Sequence, residues 1–136
     1  MMPRLYREAP LNSIWEGCGN IQCLDVLRAI TKTPEVQDAI FHELLSVEGQ
    51  HTDLSRMVAL LKDTLSKDNQ LEYRARELVE GLAVALQAAT LLRNGNTVVA
   101  DLFCASRLGY GRSLCFGALP QASTHAEVVN RAALRA

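Results

Sequence analysis

QLEYRARELVEGLAVALQAATLLR, residues 70–93, is the longest periodic stretch of the chain. Leu71, Ala75, Leu78, Val79, Leu82, Leu86 and Ala89 recur at three- and four-residue intervals, the repeat that gathers apolar side chains on one helical face. Glu72, Arg76 and Glu80 step along the wet side at i, i+4. Asn94-Gly95 supplies the stop. The pattern predicts one long amphipathic helix, and such a helix must bury its apolar face against other elements.

The flanking segments repeat the theme. Thr33-Pro34-Glu35 reads as N-cap, first-turn proline and first-turn acid. The helix it starts carries Val36, Ile40, Leu44 and Val47 and ends near Gly49. Another follows Thr52-Asp53 with Leu54, Met57, Val58, Leu61 and Leu65 on its face. On the C-terminal side, 97–108 is predicted helical through Val98, Val99, Leu102, Phe103 and Leu108, and Gly109-Tyr110-Gly111 stops it. Residues 110–122 read as a loop, and Thr124-x-x-Glu127 fits a capping box for a short last helix. Towards the N-terminus, Asn20 is expected to cap a helix running to about Thr31. Its polar positions Gln22, Asp25, Arg28 and Lys32 form a narrow stripe. Ile21, Cys23, Leu24, Val26, Leu27 and Ile30 cover the rest, which calls for burial on most sides. Pro3, Pro10, Gly17 and Gly19 mark the first nineteen residues as irregular. No stretch alternates as a strand would. The predicted fold class is all-α, an antiparallel bundle of five to six helices.

A chain of 136 residues has room for one domain with a modest core. With 49% hydrophobic and 21% charged residues it reads as globular rather than disordered. A formal net charge of -1 gives no basic excess for strong non-specific nucleic-acid binding. The longest apolar run, 82–92, is too short to span a bilayer, and no basic segment followed by an apolar one opens the chain. No membrane partner and a cytoplasmic location are therefore expected. Cys18, Cys23, Cys104 and Cys115 lack zinc spacing, so no metal site is expected and free thiols are. Cys23 and Cys104 sit among apolar positions as core fillers. His42, His51 and His125 are isolated, which suits solvated or capping roles.

Residues 7–9 read Arg-Glu-Ala, and 14–17 read Ile-Trp-Glu-Gly. This pair resembles the Arg-Asp-Ala … Ile-Tyr-Glu-Gly-Thr block of acyl-CoA dehydrogenases, and residues 19–28 resemble the helix after it. The resemblance runs over Arg4–Arg28 and points to the adaptive-response (AidB-like) branch. It implies a C-terminal fragment of an FAD-dependent enzyme that oxidises acyl thioesters at Cα–Cβ, inactive alone and without FAD in the isolated chain. Residues 1–31 would be the end of the family's C-terminal bundle with its active-site loop. Residues 32–136 would be a branch-specific helical extension, and the whole a single helical domain.

Oxidation at Cα–Cβ needs a base for the α-proton and an acceptor for the β-hydride. A carboxylate serves as base when burial raises its pKa. By resemblance that base is Glu16, with Trp15, Gly17 and Cys18 beside the cofactor. Cys18 stands where the family has Thr, which removes a hydroxyl that could bond the cofactor. From the residues alone, Ser13-x-x-Glu16 also fits a capping box, and Arg7 with Glu8 fits a buried pair orienting the loop. Acyl-CoA is the implied substrate, and self-association or a companion chain is expected to cover the apolar N-terminal helix. The alternative function is a helical module contacting DNA or a partner subunit. The branch is associated with DNA binding, and Arg107, Arg112, Arg131 and Arg135 are the weak basic footprint for it.

Overall fold

The computed structural model describes residues 2–67, 70–95, 97–109, 119 and 126–133. Seven α-helices and one 3₁₀ turn make up the regular structure, with no strand among the described residues. They are α1 (Met2–Glu8), the 3₁₀ turn (Ala9–Ser13), α2 (Gly19–Lys32), α3 (Pro34–Leu45), α4 (Thr52–Lys67), α5 (Ala75–Arg93), α6 (Thr97–Arg107) and α7 (Ala126–Ala132).

The long periodic stretch is the hub. Helix α5 packs against α2, α3, α4 and α6, and small residues let several neighbours approach it. Gly81, Ala85, Ala88 and Ala89 are all buried. A Cβ on Gly81 would stand 3.0 Å from the Leu61 Cδ2 methyl of α4. Around α5 the core gathers Leu27 and Ile30 of α2, Phe41 and Leu44 of α3, Leu54, Met57, Val58 and Leu61 of α4, and Cys104 of α6. Each fully buried leucine contributes roughly 1.5–3 kcal/mol. One core joins α2 to the later helices, because α2 inserts Leu27 and Ile30 into the cluster around α5.

Several ends differ from the sequence reading. The long helix starts at Ala75 rather than Gln70. Residues 70–74 wind as tight turns instead, with the Tyr73 and Arg74 N–H groups donating to the Gln70 and Leu71 carbonyls. The first nineteen residues are not irregular throughout, since α1 and the 3₁₀ turn occupy 2–13. Pro3 and Pro10 stand in the first turns of these elements, where a missing N–H costs nothing. Asn20 does not cap α2. The N-cap is Cys18 without a side-chain bond, and the Asn20 amide oxygen instead accepts a hydrogen bond from Arg76.

Helix α2 is the largest departure. Only Leu27 and Ile30 are buried, while Ile21, Leu24 and Val26 are exposed. The neighbours of α2 are α5 and α3, which cover one face. The turn at 94–95 and the loop boundary at Gly109 fall as expected, with Gly95 in the left-handed region. Helix α4 is capped by His51, whose Nδ1 accepts the Asp53 N–H at 3.2 Å. Arg56 Nη2 bonds both Asp53 and the Leu108 carbonyl, which ties the end of α6 to α4. His125 and Cys115 lie outside the described residues. None of the described helices is long and apolar enough to cross a membrane.

Candidate functional site

Between the 3₁₀ turn and α2 five residues, 14–18, form a tight turn. The Ile14 and Trp15 N–H groups donate to the Leu11 carbonyl, and the Gly17 N–H donates to the Ile14 carbonyl at 3.2 Å. The turn holds two consecutive residues with positive φ, Glu16 at +60° and Gly17 at +116°. Glycine adopts this region freely, whereas at Glu16 it costs about 1–2 kcal/mol. Glu16 is the one non-glycine residue with positive φ among the described residues. Strain of this kind persists where the surroundings hold it and gathers at functional turns.

A side chain the sequence reading placed only on a polar stripe does the holding. Gln22 Nε2 donates to the Trp15 carbonyl at 2.9 Å and to the Gly17 carbonyl at 3.3 Å. Trp15, Glu16, Gln22, Asn12 and Asp25 line a shallow open depression of about 410 Å³. Trp15 is 61% exposed, and Glu16 is exposed beside it. Trp15 and Glu16 therefore share one surface, with Gly17 forming the turn that presents them.

Cys18, the N-cap of α2, is an exposed thiol. The backbone N–H groups of Ile21 and Asn20, aimed at its sulfur, are the main cause of a pKa below the usual thiol value, and the Arg76 guanidinium adds a smaller push the same way. Arg76 reaches this turn from α5. Its Nη1 donates to Asn20 Oδ1 at 2.9 Å.

Other expectations do not form. Ser13 Oγ donates to the Pro10 carbonyl at 2.9 Å, and the following helix starts only at Gly19, so Ser13 and Glu16 make no capping box. Arg7 and Glu8 are not a buried pair. Both are exposed, and Glu8 bonds Arg4 Nε at 2.9 Å, one helical turn away. Of the four arginines in the basic footprint, Arg107 is half-buried at the end of α6 and Arg131 is exposed in the last turn of α7. Arg112 and Arg135 lie outside the described residues.

Among the described residues the chain is helical, and it presents Trp15-Glu16-Gly17 on a strained turn before α2. The chain is homologous to part of an acyl-CoA dehydrogenase. Over 103 residues, 76% of the chain, it is 40% identical to the Escherichia coli (strain K12) protein named "Putative acyl-CoA dehydrogenase AidB". The match is far longer than the Arg4–Arg28 block, yet it spans only 19% of that relative's length. No protein-family model matches the chain, and no solved structure matches it significantly.

Proposed function

We propose that the chain is the C-terminal helical part of an FAD-dependent, adaptive-response-type acyl-CoA dehydrogenase, and that it contributes the base for acyl thioester oxidation. The observation that carries this reading is the 40% identity to the AidB protein, joined to the strained exposed Trp15–Glu16–Gly17 turn. The residues present suit a flavin as one wall of its site. Trp15 offers an aromatic face, and Gly17 leaves backbone uncovered by a side chain. FAD, when bound, supplies the acceptor for the β-hydride. Glu16 takes the α-proton of the acyl thioester on its carboxylate. Because Glu16 is exposed in this chain, the dry surroundings a base needs must come from a surface laid over the depression. Gln22 keeps the turn from relaxing while that surface closes.

The test is α-proton exchange from an acyl-CoA by a flavin-loaded assembly that contains this chain. Glu16→Gln keeps the shape but cannot accept the proton. It should slow exchange on the order of a hundredfold to ten-thousandfold with flavin still bound. An unchanged rate would place the base elsewhere.

One observation favours a partner-binding role alongside. Leu5, Leu11, Ile14, Trp15, Ile21, Leu24 and Val26 are all exposed on the N-terminal elements, and contiguous apolar surface of this kind marks partner sites. A companion domain or second copy seated there would also cover Glu16. A DNA role predicts salt-sensitive binding that weakens when Arg107 and Arg131 are replaced by Ala. Salt-independent or absent binding would leave the protein partner as the occupant.

A further inference from the structure

Glu16 lies between two carbonyls gripped by one side chain. Gln22 spends both amide protons on the Trp15 and Gly17 carbonyls, the residues on either side of Glu16. No carboxylate can imitate this, because an ionised acid only accepts hydrogen bonds. Gln22 in turn sits in the first turns of α2, and that end of α2 is anchored from a distant helix. Arg76 Nη1 bonds Asn20 Oδ1 across 56 residues of sequence, and its guanidinium lies 3.5 Å from the position a Cβ on Gly19 would take. From α5 to the turn the path is continuous: Arg76, Asn20, Gln22, then the backbone around Glu16.

We propose that Gln22 and Arg76 are positioning residues for the Trp15–Glu16–Gly17 turn. Gln22 locks the backbone on both sides of Glu16, and Arg76 fixes the helix end that carries Gln22. The later helices thereby set the aim of the carboxylate without touching the reacting atoms. The functional meaning of this brace rests on Glu16 being the base, but the brace itself does not. A strained turn relaxes when its restraint is removed, so the brace has a readout of its own.

Trp15 is the single tryptophan of the chain, so its fluorescence anisotropy reports the turn directly. Amide hydrogen exchange at Gly17 reports the same turn through its bond to Ile14. In the full chain, Gln22→Glu keeps the shape of the side chain and removes both donors. Gly17 exchange should quicken roughly tenfold, the weight of one typical hydrogen bond, and anisotropy should fall while the thermal midpoint stays put. Arg76→Ala should do the same, and Arg76→Lys should restore most of the effect by keeping a charged donor. Cys18 alkylation, resolved by peptide mass, adds a pH profile. Its midpoint should rise in Arg76→Ala and return in Arg76→Lys, a pattern that loosened packing alone does not produce. Asn20→Ala removes the acceptor without altering α5 and serves if Arg76→Ala unfolds. Unchanged exchange and anisotropy in folded Gln22→Glu and Asn20→Ala chains overturn the proposal. These readouts need neither flavin nor substrate, so a failure of Glu16 as base would appear only in the exchange assay on acyl-CoA.

Discussion

At Glu16 and Gly17 the backbone and the proposed chemistry pull against each other. A left-handed glutamate is costly, and the turn keeps it where a glycine would be more comfortable. Glu16→Gly should therefore stabilise the isolated chain by about 1 kcal/mol while removing the carboxylate. Urea unfolding should show a raised midpoint with an unchanged slope. A lowered midpoint would mean that Glu16 makes a contact outweighing its strain. Gly17→Ala should act the other way, by on the order of 1–3 kcal/mol. Its φ is +116°, and the new Cβ would meet Ile21 Cγ2 at 3.2 Å. Cys18, just before α2, and Cys104 in α6 make a second contrast at this scale. Burial, with smaller pushes from Asp101 and Asp53, raises Cys104 to about 11 from 9.0. Its folded pKa lies above the unfolded one, so the folded state keeps the proton longer. That contribution to stability is fully present below pH 9 and is lost as pH rises towards 11, up to about 2–3 kcal/mol. Midpoints measured across that window should fall in the wild type and fall less in Cys104→Ala. Equal slopes for the two would assign the alkaline loss to other groups.

Element by element, α5 decides how closely the helices pack. Gly81 sits 3.0 Å, measured from its ideal Cβ, from Leu61 Cδ2, with a void of about 30 Å³ alongside. That void cannot take a leucine side chain. Gly81→Leu should lose on the order of 1–3 kcal/mol by overpacking, despite a better helix former at the site. A stability equal to wild type would show that α4 can retreat freely. The helices themselves were legible because apolar period and start signals act locally, as Pro34 and the Leu54–Leu65 face show. Two things were not. The N-terminal segment reads as broken because two nearby prolines interrupt any local pattern, whereas the fold seats Pro3 and Pro10 in first turns, where they are tolerated. The starts of α2 and α5 were misplaced because Asn20 and residues 70–74 answer to tertiary partners and tight turns rather than to local propensity. At the candidate site, Glu16, Trp15 and Gly17 stood out only through family wording. Gln22 and Arg76 looked like solvated polar positions, since a hydrogen bond spanning 56 residues leaves no trace in local spacing.

Over the whole molecule, one side is finished and the other is not. The core around α5 leaves no buried side-chain nitrogen or oxygen without a partner among the described residues. The N-terminal elements, by contrast, leave Ile14 70% and Trp15 61% exposed. The isolated chain should therefore self-associate with increasing concentration and should bind no FAD on its own. Sedimentation over a range of concentrations checks the first expectation, and Ile14→Asp with Val26→Asp should shift the chain towards monomer. Bound flavin colour in the purified chain would contradict the second. A concentration-independent monomer would mean that these side chains are tolerated in water.

The bond between Asn20 and Arg76 also imposes an order on synthesis. A ribosome makes the turn that carries Glu16 before the arginine that anchors it, which follows Asn20 by 56 residues. Until α5 has emerged, the nascent turn has its Gln22 clasp and no tether to a folded core. The final anchorage of the residue proposed to do the chemistry must therefore wait for α5.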